Sequence, residues 1–137
     1  MNVLLLNGEN VQTICVACSL RQQRHYVIVF ANSRVSSGYV SRYINEKHIS
    51  PDIIQYPIEF EAYLDEYLTN NHIDLIIPMG DDSATFLSQR KEYIESTYKC
   101  RCAVPTYSIF NIANDKQLLM ELCENYSLPH PRTRGIS

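Results

Sequence analysis

Val3-Leu4-Leu5-Leu6-Asn7-Gly8 is an unbroken apolar run stopped by a turn pair. A strand with one wet face alternates apolar and polar residues, so a continuous run this short reads as a strand covered on both faces. Tyr26-Val27-Ile28-Val29-Phe30 repeats the pattern with β-branched and aromatic residues. Between the two runs, residues 11–23 read as a helix. Val11, Ile14, Cys15 and Cys18 fall at the i, i+3, i+4, i+7 spacing of a buried stripe. Two buried strands joined by a helix make a parallel βαβ unit.

The same alternation continues along the chain. Residues 31–37 read as loop, 38–42 as a short helix, and 46–50 as a weaker third strand stopped by Pro51. Phe60, Tyr63, Leu64, Tyr67 and Leu68 mark the apolar stripe of a longer helix. Ile73-Asp74-Leu75-Ile76-Ile77 is the fourth strand, ended by Pro78, and Gly80-Asp81-Asp82-Ser83 supplies a turn and an N-cap for a helix to about Thr97. Residues 101–104 form a fifth strand before Pro105. Two short helices follow, at 108–113 and 115–125, the second capped by Asn114 with Gln117 in capping-box spacing. The expectation is an α/β, Rossmann-like three-layer domain with a five-stranded, mainly parallel sheet in the order 3-2-1-4-5 and right-handed crossovers. Such sheets bind ligands at the carboxyl ends of the strands where the order reverses. Here that point lies between the first and fourth strands, so the candidate substrate cleft is Asn7, Gly8, Glu9 and Asn10 with Gly80, Asp81, Asp82 and Ser83.

Composition narrows the function. The chain has 137 residues, 45% hydrophobic and 20% charged, which suits one globular domain. No apolar run approaches the length of a membrane span, and the first residues lack a basic leader, so the expected setting is cytoplasmic. Four glycines, Gly8, Gly38, Gly80 and Gly135, cannot build a dinucleotide fingerprint, a P-loop or a serine elbow. Net charge is −3, with ten acidic and two basic residues between 51 and 98, which disfavours a nucleic-acid surface there. Glu59, Glu61, Asp65 and Glu66 read as a solvated helix face.

The individual candidates divide as follows. Cys15-x-x-Cys18 with Cys100-x-Cys102 raises zinc or redox chemistry, but the helical stripe favours buried, free thiols. His25, His48, His72 and His130 show no ligand spacing and read as surface residues. Gly8 beside a helix start makes an anion site plausible, and any tight turn would use a glycine there as well. Asp81 and Asp82 bind a cation or an amine, act as an acid–base pair, or serve as N-cap and dipole complement of the helix; capping is favoured. Lys116, in the first turn of a helix, opposes the dipole and is either simply solvated or aimed at a ligand phosphate.

The C-terminal third adds a resemblance. Val104-Pro105-Thr106-Tyr107-Ser108-Ile109-Phe110-Asn111-Ile112-Ala113-Asn114-Asp115-Lys116 runs into Leu118-Leu119, Cys123-Glu124 and Leu128-Pro129-His130-Pro131-Arg132-Thr133. This resembles the entry to an ATP-grasp module. Upstream, Ile73-Asp74-Leu75-Ile76-Ile77-Pro78 with Asp81-Asp82 resembles the fourth strand and loop of the N-terminal, pre-ATP-grasp domain, in the manner of carbamoyl-phosphate-synthase-large-chain-like ligases. Ser127 departs from the family by standing where glycine is frequent. The family's glycine-rich lid, adenine pocket and magnesium carboxylates have no positions before Ser137.

The resemblance implies a pre-ATP-grasp domain at 1–113 and a connection at 114–137 into an ATP-grasp domain of the same polypeptide. It implies that Lys116 touches nucleotide phosphate and that the strand-end loops hold a small-molecule substrate. ATP and Mg²⁺ belong to the complete enzyme, with none expected on this domain, which should not be catalytic alone. No nucleic acid and no membrane partner is expected, and a homodimer stays open. The alternative is a stand-alone α/β binding or docking module without catalysis.

Overall fold

β1 (Asn2–Leu6) is the middle strand of the sheet, and Leu4, Leu5 and Leu6 are wholly buried. A computed structural model describes residues 1–132. Thr133, the last residue of the family-like stretch, lies outside the described residues. The chain order is β1, α1 (Gln12–Gln22), β2 (Tyr26–Ala31), α2 (Ser37–Val40), β3 (Glu46–Ile49), α3 (Pro57–Asn70), β4 (Leu75–Pro78), α4 (Asp81–Tyr98), β5 (Arg101–Cys102), α5 (Tyr107–Asn114) and α6 (Lys116–Asn125). All five strands are parallel, in the order β3-β2-β1-β4-β5. This is the expected sheet.

Alternate residues of the central strands feed two cores. Leu4, Leu6, Ile28, Phe30 and Ile76 meet Phe60, Leu64 and Leu68 of α3 and Leu87 and Ile94 of α4. Val3, Leu5, Val27 and Val29 meet Ala17 of α1 and Ile44. Helices therefore cover both faces, which is why residues 3–6 of β1 and 27–31 of β2 are apolar throughout. No helix among the described residues is long and apolar enough to cross a membrane.

Several local readings need correction. The buried stripe of α1 is not Val11, Ile14, Cys15 and Cys18: Val11 and Cys15 are exposed, while Thr13 and Ala17 are buried. Thr13, Val16, Ala17 and Leu20 have the same spacing two residues on, and small side chains at the first and third of these let the helix lie close to the sheet. β4 starts at Leu75 rather than Ile73, and Pro78 lies inside it, opposite Leu6. The Asp74 carboxylate just before β4 accepts the Asn2 backbone N–H at 2.7 Å. β5 is two residues long, because Val104 N–H turns back to the Cys102 carbonyl at 2.8 Å.

Not all charged groups are merely solvated. Glu61 and Asp65 on α3 pair with Arg90 of α4, whose guanidinium also lies 4.7 Å over the Tyr93 ring. His48 is half-buried, bonded to Glu46 at 2.5 Å and edge-on to Phe30 and Tyr67. The five cysteines are free thiols; burial pushes Cys100 and Cys102 up to about 12.

The N-cap of α6 is Asp115, not Asn114. Its carboxylate accepts the N–H groups of Gln117 and Leu118 at 2.9 and 3.1 Å. At the other end, Ser127 is left-handed (φ 53°). Leu128 N–H reaches back to the Cys123 carbonyl and Ser127 N–H to Glu124, the pair of bonds that closes a helix through a left-handed residue. This is the position where glycine costs least. Ser127→Gly is expected to stabilise the end of α6 by about 0.5–1 kcal/mol, seen as slower exchange of the Leu128 amide. Faster exchange would contradict it.

Candidate functional site

The two loops expected at the switch point do meet. Asn7 leaves β1 in the left-handed region (φ 62°), which turns the chain sharply off the sheet. Gly8 N–H then bonds to the Phe30 carbonyl at 2.9 Å, and the Gly8 carbonyl accepts Gly38 N–H at 2.7 Å. The loop is thus held between the end of β2 and α2. Asn10 Nδ2 donates to the Met79 carbonyl at 2.6 Å and ties this loop to the end of β4. Gly80 makes the approach possible: a Cβ there would sit 3.0 Å from Asn10 Nδ2 and 3.2 Å from Asn7 Oδ1.

Neither carboxylate of the second loop caps α4. Gly80 is the N-cap, and the buried Ser83 hydroxyl donates to its carbonyl at 3.0 Å. Asp81 and Asp82 are exposed on the first turn, where they complement the helix dipole. Asn7 Nδ2 donates to Glu9 Oε1 at 2.8 Å, while Asn7 Oδ1 is buried with no donor among the described residues. A buried acceptor without a donor is costly and calls for a ligand or water N–H or O–H.

The small cleft beside these loops is lined by Asn7, Glu9 and Ser83, and continues over Phe30 to Asn32, Ser50 and Asp52. Its interior has room for about one water molecule. Gly8, Asn10, Gly80, Asp81 and Asp82 do not line it; they build or flank its wall. Sequence reasoning missed Asn32, Ser50 and Asp52. The first two directly follow β2 and β3, so the strand-end rule applied to those strands would have reached them. The Gln55 N–H, with the Asn32 amide and the Ile54 N–H, holds the Asp52 carboxyl below the usual range. Glu9, Asp81 and Asp82 follow β1 and β4 in loops that carry no Lys or Arg, so these two loops favour an amine over a bare phosphate.

Lys116 stands apart from this edge, as the first residue of α6. It is exposed and makes no ion pair among the described residues. Its ammonium is therefore available to an anion. No group of three or more metal-ligating side chains occurs among the described residues.

No family model matches the chain. It is 28% identical over 108 residues to a D-aspartate ligase from Enterococcus faecium (strain Aus0004), covering 76% of this chain and 25% of that protein. The fold is similar to N5-carboxyaminoimidazole ribonucleotide synthetase from Thermotoga maritima (TM-score 0.61, 15% identity, 96% of this chain and 32% of that one). It is also similar to the biotin carboxylase domain of a single-chain bacterial carboxylase (TM-score 0.66, 16% identity, 100% of this chain and 32% of that one). The chain thus spans about a quarter of the curated relative and about a third of these solved structures. At such identities the structural likeness shows the fold alone, the five-stranded parallel α/β sheet expected from the sequence.

Proposed function

We propose that the chain is the N-terminal, substrate-side domain of an ATP-dependent ligase that joins a carboxylate to an amine. The observation that carries the reading is the joined pair of loops at the β1–β4 switch point, with a buried, unpaired Asn7 Oδ1 between them. The sequence likeness to a D-aspartate ligase favours the carboxylate–amine class. In that chemistry a carboxylate oxygen attacks the terminal phosphorus of ATP and ADP leaves. The amine then attacks the acyl carbon and phosphate leaves.

The ATP-grasp domain of the same polypeptide would supply the nucleotide pocket and hold Mg²⁺, which screens phosphate charge during transfer. This chain would contribute the amine-favouring loops after β1 and β4 and Lys116, in a reducing, cytoplasmic setting. On this reading residues 1–113 form the substrate-side domain and 114–137 the connection onward.

Lys116 gives the test. In the longer polypeptide its ammonium would meet nucleotide phosphate from the first turn of α6. Lys116→Ala should cost about 1.5–3 kcal/mol of transition-state binding, the range of a charge-assisted hydrogen bond. That is roughly a ten- to hundred-fold loss in kcat/KM for ATP. Folding should be untouched, since the side chain is exposed. Unchanged ATP kinetics would refute the assignment.

A further inference from the structure

A second concave surface lies between β3, the edge strand of the sheet, and α3. Glu46 and His48 project from the side of β3 that faces α3. Lys47, between them, points the other way and lies 5.7 Å over the Tyr39 ring. Tyr63 and Tyr67 of α3 form the opposite wall. The Tyr67 and His48 rings meet edge-on at 5.0 Å, and both tyrosines rest on Phe30. The groove holds about 300 Å³, is open to solvent, and is lined by no lysine or arginine among the described residues. It runs from the start of β3 to the end of α3, away from the cleft at the carboxyl ends of the strands.

The groove is rich in acceptors. Glu46 accepts the hydroxyls of Tyr67 and Tyr26 at 2.8 and 3.2 Å and is bonded to His48 at 2.5 Å. Partial burial works against its ionisation, but the bonds from His48 and Tyr67 outweigh that and hold the carboxyl below its usual range. Glu66 is exposed on the rim. Asn70 and Asn71 donate amide N–H groups to the Glu66 and Tyr67 carbonyls at 2.9 and 3.0 Å, which leaves their side-chain oxygens as acceptors. The last turn of α3 carries no basic residue, so the negative end of its dipole adds to the same field.

We propose that this groove binds a linear alkyl diammonium, the chemical class of the aliphatic polyamines. The two carboxylates, Glu46 and Glu66, match the two positive charges. An ammonium group carries three N–H donors and no acceptor, which fits a lining of carboxylate and amide oxygens. The alkyl chain lies along Tyr63 and Tyr67, whose ring faces also attract the cationic ends. An anion is repelled by the same two carboxylates. A quaternary ammonium has no N–H for the Asn70 and Asn71 oxygens. A bare metal ion is poorly served, because no three ligating side chains converge among the described residues.

The experiment titrates cadaverine into the chain at physiological salt and follows it by NMR. Saturable, one-site shifts are expected at the Asn70 and Asn71 amides and the Tyr63 and Tyr67 rings. Butylamine, with one charge, should bind about fivefold more weakly, and Glu66→Gln should weaken cadaverine about threefold. Tyr63→Leu, which removes one aromatic face, should weaken it about fivefold. Glu92→Gln takes the same charge from an exposed position on α4 and should leave binding unchanged. Tyr63 packs on Phe30, so circular dichroism checks that its variant is folded; Glu66 is exposed, and its variant tests the proposal without that risk. The absence of saturation overturns the proposal, as do shifts spread evenly over the acidic surface. Equal losses in Glu66→Gln and Glu92→Gln overturn it too, as does tetramethylammonium binding as tightly as cadaverine.

Discussion

Phe30→Ala is expected to lower stability by about 3–5 kcal/mol, the range for truncating a fully buried phenylalanine. Phe30 is 1% exposed on β2. Its ring meets Tyr63, Tyr67 and His48 edge-on at centroid separations of 5.2, 5.1 and 5.8 Å, so the deletion removes aromatic contacts as well as buried area. The neighbours cannot collapse into the gap. Tyr67 is anchored through its hydroxyl to Glu46 at 2.8 Å, and His48 is bonded to the same carboxylate. Small domains are stable by only about 5–15 kcal/mol, so the variant should be partly unfolded at 37 °C. Urea unfolding measures it. A loss below about 1.5 kcal/mol would mean that the aromatic cluster repacks. Phe30→Leu keeps most of the volume and should cost under half as much.

Gly38→Ala should cost about 3 kcal/mol although it adds one methyl group. The new Cβ would lie 2.2 Å from the Gly8 carbonyl oxygen, 2.9 Å from the Gly8 carbonyl carbon and 2.9 Å from Thr13 Cγ2. Two of these obstacles are backbone and the third belongs to a wholly buried threonine, so none can swing aside. α2 must retreat, and the 2.7 Å bond from Gly38 N–H to Gly8 is lost. Overpacking of this kind costs about 1–3 kcal/mol, and a clash with fixed backbone lies at the upper end. The displacement reaches the site, since Gly8 sits between Asn7 and Asn10, whose side chain holds the β4 loop. The urea midpoint should fall with its slope unchanged. A midpoint shift worth less than 1 kcal/mol would show that α2 slides on the sheet without resistance.

Much of this architecture is written in short apolar runs. β1 and β2 are legible because burial on both faces leaves an unbroken hydrophobic string that few other elements produce. The rotation of α1 is not legible. Val11, Ile14, Cys15 and Cys18 satisfy helical spacing as well as Thr13, Val16, Ala17 and Leu20 do, and the choice is made by the sheet, which accepts the smaller side chains. Asn114 and Asp115 are both good caps, and one residue of phase decides between them. At the site, the loops after β1 and β4 follow from the strand order. The bond from Asn10 to Met79 joins residues far apart in sequence, and no local pattern announces it. Asn32 and Ser50 follow β2 and β3, away from the point where the strand order reverses, so the switch-point rule does not single them out.

The central place of β1 also governs how the chain can fold during synthesis. Its first neighbour, β2, follows within one helix, but its other neighbour is β4. Roughly 70 residues separate the two, so at ribosomal speeds of about 5–20 residues per second β1 waits about 4–14 s for its second partner. Through that interval one edge of a strand that is apolar from Val3 to Leu6 is open to pairing with another nascent chain. Chain growth up to Pro78 is therefore the period in which this protein most needs a chaperone, and slow translation of α3 would lengthen it.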